Sequence, residues 1–468
     1  MYKLSPVWTR VLTFPLQSEA PVPPDRCPRF AGSGKKGVLR GSHSRNTMVL
    51  SVIIVNYNVK YFLEQCLYSV EKALRELDGR AASLASDLNT PDPEMADLNT
   101  PDLDTRDRQT EIFVVDNHSS DGSIEYLRSA FPRVKFMVNK ENTGFARANN
   151  QALREARGKN ILFLNPDTIL PEDFFRVGLS FMEKEPRAGA LGVRMIDGSG
   201  RFLKESRRGF PSPWVAFCKL TGLTALFPHS RLLANYYLGH LPSDRNHPAP
   251  ILSGACLWAR RDALDKAGPF DEQFFMYAED IDLSHRLEQA GYLNYYIADT
   301  TILHFKGEST QKDARYIKLF YKAMSQFRQK YFSGGLSALF NVLMEIAIWL
   351  RAGVTAVANL VSPGRWGGRK GTKAAAPRIC RTRVTGDPDG VARLTAVLSA
   401  AADRLLVPDG QEAEEIIFCE GPAFRFSDCI AALQKVRGRT SCKIHAAGSG
   451  SAIGSYSKEE QGQTLVFI

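Results

Sequence analysis

The chain lacks several features that would have placed it at once. Eight cysteines, at positions 27, 66, 218, 256, 380, 419, 429 and 442, include no C-x-x-C pair, so neither a zinc ribbon nor a disulfide framework is indicated. A reducing compartment suits them. No G-x-x-x-x-G-K-[ST] occurs, which excludes a P-loop enzyme. Gly32-Ser-Gly-Lys-Lys-Gly37 matches G-x-G-x-x-G only by letter, because no strand pattern precedes it and no helix pattern follows. Residues 1–47 are rich in Pro, Gly, Ser and Arg and have no apolar core of a secretory signal. They hold eight Lys/Arg against two acids, most of the net charge of +10, so the remainder is only mildly basic and nucleic acid is not an expected partner. A disordered tail is expected there, with Met48 as the natural start.

With 468 residues and 44 % hydrophobic content, the chain can build two or three domains. From Met48 onward, strand and helix patterns alternate. "LSVIIV" (50–55) is a buried-strand run, and 59–74 carries apolar residues at 62, 63, 66, 67, 70, 73 and 74, one helix face. Residues 81–108 hold "DLNTPD" twice, at 87–92 and 97–102, and are expected to form a solvated insertion. The pattern resumes with strands at 111–116, 135–139, 160–165 and 189–195 and helices at 122–131, 146–157 and 172–184. Such alternation predicts an α/β fold, a mainly parallel sheet with helices on both faces.

Ligands of such sheets bind beyond the carboxyl ends of the strands. Three predicted ends carry polar groups: Asn56-Tyr57-Asn58, Asp116-Asn117 and Asn165-Pro166-Asp167. Taken singly, each reads as well as a turn or helix cap. Together they suit a nucleoside, with an aromatic ring for the base and carboxylates for base N–H or ribose hydroxyls. In "NKENTGFARANN" (139–150), Gly144 and Arg147 open a helix where a phosphate would be welcome.

Seven stretches, "SVIIVNYN", "VVDNHSSDGS", "NTGFARANN", "FLNPDT", "GACLWARR", "FDEQFFMYAEDIDLSHRLEQAGY" and "ILHFKGEST", follow one another between about Val49 and Phe305. In order and spacing they resemble the family 2 glycosyltransferases of GT-A fold, most closely the rhamnosyltransferase-like branch. The resemblance puts 165–167 in the place of the D-x-D metal motif, with Asn165 standing where the first Asp would be, a change that weakens metal affinity. It implies a nucleotide diphosphate sugar as donor, Mg²⁺ or Mn²⁺ on Asp167, and His304 as a second ligand within His304, Gly307 and Ser309. It also places the family's Glu-Asp motif on Glu279-Asp280, with Asp280 as the base.

The chemistry of the residues agrees. Expelling a nucleoside diphosphate leaves charge that a cation, held by few carboxylates and by the phosphates themselves, must balance. The attacking hydroxyl must lose a proton, which requires a carboxylate base. Acids at the start of a helix, as in "YAEDIDLSHRL" (277–287), also favour the helix dipole without any catalytic role. A single displacement at the anomeric carbon implies inversion. Two other classes compete: a nucleotidyltransferase-like enzyme, which needs a Gly-rich loop that "NYNVKYFLEQ" lacks, and a non-catalytic membrane-associated scaffold, which has no use for Asp167 and Glu279-Asp280 together.

The aromatic-rich stretch 207–242 suits core packing and an acceptor groove equally, and its apolar character fits a lipid-linked acceptor. Residues 336–361 are long enough to span a bilayer, yet Ser337, Asn341, Glu345, Arg351, Thr355 and Asn359 share one narrow arc. With basic flanks on both sides, an amphipathic helix on an anionic membrane surface is expected, making the protein peripheral or monotopic at the cytoplasmic inner face. The expected organisation is therefore a tail (1–47), a GT-A domain (48–310), a membrane-associated helical segment (311–375) and a small α/β domain of unassigned role (376–468). The last ends a strand in Gly448-x-Gly450-x-x-x-Gly454, with too little chain beyond it for a βαβ nucleotide site.

Overall fold

In a computed structural model, residues 49–88, 110–305, 314–332, 342, 379–436, 440–455 and 462–467 are described. The tail, residues 89–108 of the insertion, Gly307, Ser309 and the stretch 336–361 apart from Val342 lie outside them. Among the described residues no helix is long and apolar enough to cross a membrane.

The larger sheet grows from β1 (Leu50–Asn56), β2 (Thr110–Asp116), β3 (Val134–Val138) and β4 (Asn160–Leu164), all parallel, in the order β3-β2-β1-β4. Every residue of β1 is buried, which explains its unbroken apolar run. Successive side chains divide between two cores. Val52 and Ile54 join Val114 and Leu162 beneath Leu63, Leu67 and Val70 of the helix Lys60–Leu88. Ile53 and Val55 join Phe113 and Phe163 against Ala148 and Ala152 of the helix Phe145–Glu155. Both faces are therefore helix-covered, and each fully buried aliphatic side chain contributes about 1.5–3 kcal/mol.

Beyond β4 come β5 (Thr168–Ile169), β6 (Ala188–Ile196), β7 (Arg207–Arg208), β8 (His247–Pro248), β9 (Ile251–Leu252), β10 (Cys256–Arg260) and β11 (Leu293–His304). The order continues β4-β10-β6-β11-β5, with β10 antiparallel to both neighbours and β11 parallel to β6. The antiparallel β10 is not anticipated by the alternation of patterns. It closes the gap between two parallel blocks because its short run, "CLWAR", is buried on both faces. The helix Lys60–Leu88 also runs eight residues into the segment expected as an insertion; "AASLASDL" contains good helix formers.

The second sheet has the order β13-β12-β14-β15-β16-β17, formed by β12 (Cys380–Gly386), β13 (Arg404–Leu406), β14 (Glu415–Cys419), β15 (Ser441–His445), β16 (Ser451–Gly454) and β17 (Gln463–Val466). The glycine segment after β15 turns an antiparallel hairpin into β16, so no helix follows it and it makes no nucleotide loop. Its strand ends dock on the first helix. Gln65 Nε2 donates to Ser449 Oγ (2.8 Å), Gln65 Oε1 accepts from the Ala446 N–H (2.8 Å), and Lys72 pairs with Glu420. Glu172, from the larger sheet's side, accepts the Phe426 and Ser427 N–H groups (2.7 and 3.1 Å) that open the helix Phe426–Val436. The edge where a small α/β sheet would hold a ligand is thus in contact with the body of the molecule.

Candidate active site

Register aligns Asn56 with Asp116 and Ile54 with Leu164, so the residues that follow emerge on one edge. Tyr57, Asn117, Gly144, Asn165 and Asp167 line a cleft of about 620 Å³ there, together with Phe275 and Met276. The remaining expected binding residues support it from behind. Asn56 is fully buried and donates to Asp116 Oδ1 (2.7 Å), while Asp116 Oδ2 accepts from the Ser119 N–H (2.9 Å). Asn58, at φ 54°, accepts from the Ser120 N–H (2.7 Å). These bonds shape the turn after β2, while the buried Asn56 Oδ1 has no hydrogen-bond partner.

Asn117 is a latch. Its Oδ1 accepts from the Thr143 N–H and Asn139 Nδ2 (both 3.1 Å), and its Nδ2 donates to the Gly144 carbonyl (3.1 Å). Gly144 has φ 88°, and a Cβ there would stand 2.6 Å from the Phe275 carbonyl oxygen, so no other residue fits without movement. The Phe145 N–H already donates to that carbonyl (2.7 Å), and Arg147 pairs with Glu272 at 3.1 Å. The helix start expected to meet a phosphate is therefore tied to the 270–275 segment, and Arg147 is engaged by a carboxylate.

At the end of β4 the Asn165 N–H donates to the Ala255 carbonyl (2.9 Å), which turns the chain and leaves Asp167 buried at the cleft. The short β5 pairs with the end of β11, placing His304 opposite Thr168. His304 Nε2 consequently lies 3.3 Å from Asp167 Oδ1 and 3.4 Å from Asn165 Nδ2. Two cis ligands at about 2.1 Å from an octahedral cation are roughly 3 Å apart, so this carboxylate and imidazole have the spacing of a shared ion. Among the described residues there is no cluster of three His, Cys, Asp or Glu, so such an ion would take its other ligands from water and diphosphate.

Phe275 and Met276, which line the cleft, lead into the helix Glu279–Gln289. Tyr277 and Ala278, just before it, both adopt left-handed conformations (φ 71° and 67°), a costly arrangement for non-glycine residues that recurs at functional sites. It aims the next two side chains. Asp280 accepts the Gly254 N–H on Oδ2 (3.0 Å) and the Ile281 N–H on Oδ1 (2.8 Å), and Arg208 forms an ion pair with Oδ2. Since Gly254 adjoins Ala255, two consecutive residues tie Asp280 to the Asn165-Pro166-Asp167 turn. Burial opposes the charge on Arg208, but Asp280 and Tyr236 together outweigh it and raise the Arg208 pKa. Glu279 is buried, and desolvation together with the charge of Asp280 pushes its carboxyl up to about 8. Of the two adjacent carboxyls, Asp280 is paired with a cation and Glu279 holds its proton at neutral pH.

Sequence reasoning missed Arg208 and Gly254. Gly254 opens the "GACLWARR" stretch, and its requirement is steric, a Cβ lying 3.1 Å from that of Asp280. Arg208 carries no local signal, because its partner lies 72 residues away.

The raised pKa of Glu279 has a measurable sign. The folded state holds a proton that the unfolded state releases near pH 4.5, so stability should fall as pH rises from there to about 8, by at most about 1.4 kcal/mol per unit. Glu279→Gln should flatten that slope and leave the variant relatively more stable at pH 9. Melting temperatures of both proteins across pH 5–9 test this; parallel curves would remove the buried proton.

The sequence model described as Glycosyl transferase family 2 matches residues 102–268. The N-acetylglucosaminyl-diphospho-decaprenol L-rhamnosyltransferase of Mycobacterium tuberculosis is 30 % identical over 236 residues, covering 48 % of this chain and 76 % of that protein. The rhamnosyltransferase WbbL of Escherichia coli is 26 % identical over 176 residues, covering 35 % of this chain and 61 % of WbbL. Among solved structures, a mannosyltransferase from Pyrobaculum calidifontis in complex with GDP-Man and Mn2+ covers 84 % of this chain and 86 % of its own at 16 % identity and a TM-score of 0.39.

Proposed function

The chain belongs to glycosyl transferase family 2, and from that premise we propose an inverting enzyme that moves rhamnose or a similar sugar from a nucleotide diphosphate donor to a lipid-linked glycan acceptor. The observation that carries the reading is the linkage of two carboxylates. Asp167 lies at the cleft with His304 3.3 Å from it, and Gly254-Ala255 joins that turn to Arg-paired Asp280.

Tyr57, Asn117 and Gly144 are assigned to the nucleotide, whose base can stack on the Tyr57 ring. Asp167 and His304 fit a Mg²⁺ or Mn²⁺ ion, which when bound balances the charge of the departing diphosphate. Asp280 takes the proton from the acceptor hydroxyl as that oxygen attacks the anomeric carbon, and opposite-face attack inverts the centre. Buried Glu279, holding its proton, keeps a second negative charge away from the reacting groups. A lipid-linked acceptor is supported by the name of the mycobacterial relative. The basic, amphipathic 311–375 segment supports peripheral or monotopic attachment at the inner face of the membrane.

The test is thermal shift against a panel of nucleotide sugars, each with Mn²⁺ and with EDTA. A deoxythymidine diphosphate sugar should raise the melting temperature most, and chiefly with metal. Stabilisation by a nucleoside triphosphate alone would favour a nucleotidyltransferase instead.

A further inference from the structure

The second sheet contributes nothing to the chemistry above, yet it packs against the strands that bring Asp167 and His304 together. β5, which carries the chain on from Asp167, is two residues long and ends the order of the larger sheet. It meets β11 at two positions, Thr168 opposite His304 and Ile169 opposite Leu303. Backbone pairing over two residues is too little to hold a strand, so side chains must do it.

Two sets of contacts hold it. The helix Lys60–Leu88 supplies the first: Cys66 Sγ lies 3.6 Å from Thr168 Oγ1, and Ser69 Oγ accepts the Leu170 N–H (3.1 Å). The second is apolar. Buried Ile169, Leu303 and Phe305 share one cluster with Phe426, Ile430 and Leu433 of the helix Phe426–Val436. The Phe305 ring also meets that of Phe62 edge-on, with centroids 5.2 Å apart.

Both sets lead back to the second sheet. Beside Gln65, the helix Lys60–Leu88 is fastened by Glu64, which accepts from Ser451 Oγ (2.6 Å) and from the Gly450 N–H (3.2 Å). The Gly448-x-Gly450 segment is therefore a clasp: a Cβ on Gly450 would stand 2.9 Å from the Tyr126 hydroxyl. Glu172, five residues beyond Asp167, fastens the helix Phe426–Val436. The turn after β6, whose last residue Ile196 pairs with Leu303, makes a further contact. A Cβ on Gly198 would stand 2.7 Å from the Ser455 carbonyl oxygen, and one on Gly200 would meet the Leu433 carbonyl.

We propose that the second sheet positions the metal-binding pair: it clamps Ile169 and Phe305, the neighbours of Thr168 and His304, and so fixes the spacing of His304 from Asp167. This role presupposes the ion that the preceding section assigns to those two side chains. A close-packed interior passes a displacement on rather than absorbing it, so loosening the clamp moves the imidazole away from the carboxylate.

The experiment uses the full chain. Gly198→Ala and Gln65→Ala loosen the contact in two independent ways, the first by adding a methyl group where the φ is not left-handed. Val134→Ala, in β3 at the opposite edge of the larger sheet, controls for general loss of stability, and melting temperatures confirm that all three fold. Affinity for deoxythymidine diphosphate is measured by calorimetry with Mn²⁺ and with EDTA. Amide exchange of residues 301–305 is followed by mass spectrometry.

In both contact variants the gain in affinity from Mn²⁺ should shrink by about tenfold or more, as for groups that orient metal ligands. Their affinity in EDTA should match wild type, and residues 301–305 should exchange faster. Val134→Ala should keep the full Mn²⁺ gain and the slow exchange. An undiminished gain with unchanged exchange in the contact variants overturns the role. Equal losses in Val134→Ala overturn it too, because the effect then belongs to overall stability. A wild type whose nucleotide affinity ignores Mn²⁺ rejects the metal reading of the preceding section; faster exchange confined to the contact variants would still uphold the clamp on His304, and unchanged exchange would reject it as well.

Discussion

Asp280→Asn is expected to cut single-turnover sugar transfer by about 10²–10⁴-fold while donor affinity stays near that of wild type. A carboxylate offers about four lone-pair positions, and Asp280 commits Oδ2 to Arg208 and Gly254 and one position of Oδ1 to Ile281. The free position on Oδ1 is where an acceptor hydroxyl can bind. An amide keeps the shape but cannot accept the proton, and it leaves buried Arg208 facing a neutral group, so a lower melting temperature should accompany the loss. Glu279→Gln should be far milder, since a carboxyl raised to about 8 is already neutral at pH 7 and an amide replaces it without a change of charge. Removing the Asp280 charge also removes the second cause of that elevation, so the Glu279 pKa should fall in Asp280→Asn. Saturating donor, single-turnover transfer and melting temperature are measured for both variants. Full activity in Asp280→Asn with reduced stability would make the carboxylate a helix-dipole partner and leave Asp282 as the next candidate, although Asp282 is already bound to Arg286, Lys330 and Tyr331.

How much of this could be read from the chain depends on the range of the interaction responsible. β1 and β4 are legible because burial on both faces writes them as continuous apolar runs, "LSVIIV" and "NILFL". The cleft is legible because a parallel sheet sends its strand ends to one edge, which places Tyr57, Asn117 and Asp167 together without any knowledge of contacts. Arg147 illustrates the limit. Its ion-pair partner Glu272 is 125 residues away, and local reasoning cannot see it. Arg208 fails for the same reason. β10 is missed because five residues with Trp258 at the centre carry neither the period of a helix nor the alternation of a half-buried strand. The role of the second sheet was illegible because its polar strand ends are matched by Gln65, Lys72 and Glu172, three residues that look like ordinary helix and loop positions until the two sheets are seen in contact.

Asp167→Ala should lower transfer by about 10³-fold or more and erase the metal dependence of donor binding. The carboxylate is the one acidic group among the residues lining the cleft, and His304 alone offers a divalent ion no negative charge. Several kcal/mol of leaving-group stabilisation depend on that ion, and each 1.36 kcal/mol is about tenfold in rate. The fold should survive, because Asp167 contributes its carbonyl, not its side chain, to the pairing with the Phe305 N–H (3.0 Å), and alanine keeps that bond. Donor affinity is titrated for wild type and variant with Mn²⁺ and with EDTA. Wild type should bind more tightly with Mn²⁺, and the variant should bind equally, and weakly, in both. His304→Gln is the intermediate case, since it spares the charge, and should retain part of the metal response. If the variant instead gains as much from Mn²⁺ as wild type does, the ion is held elsewhere and the Asp167–His304 contact serves only to pin β11 against the end of β4.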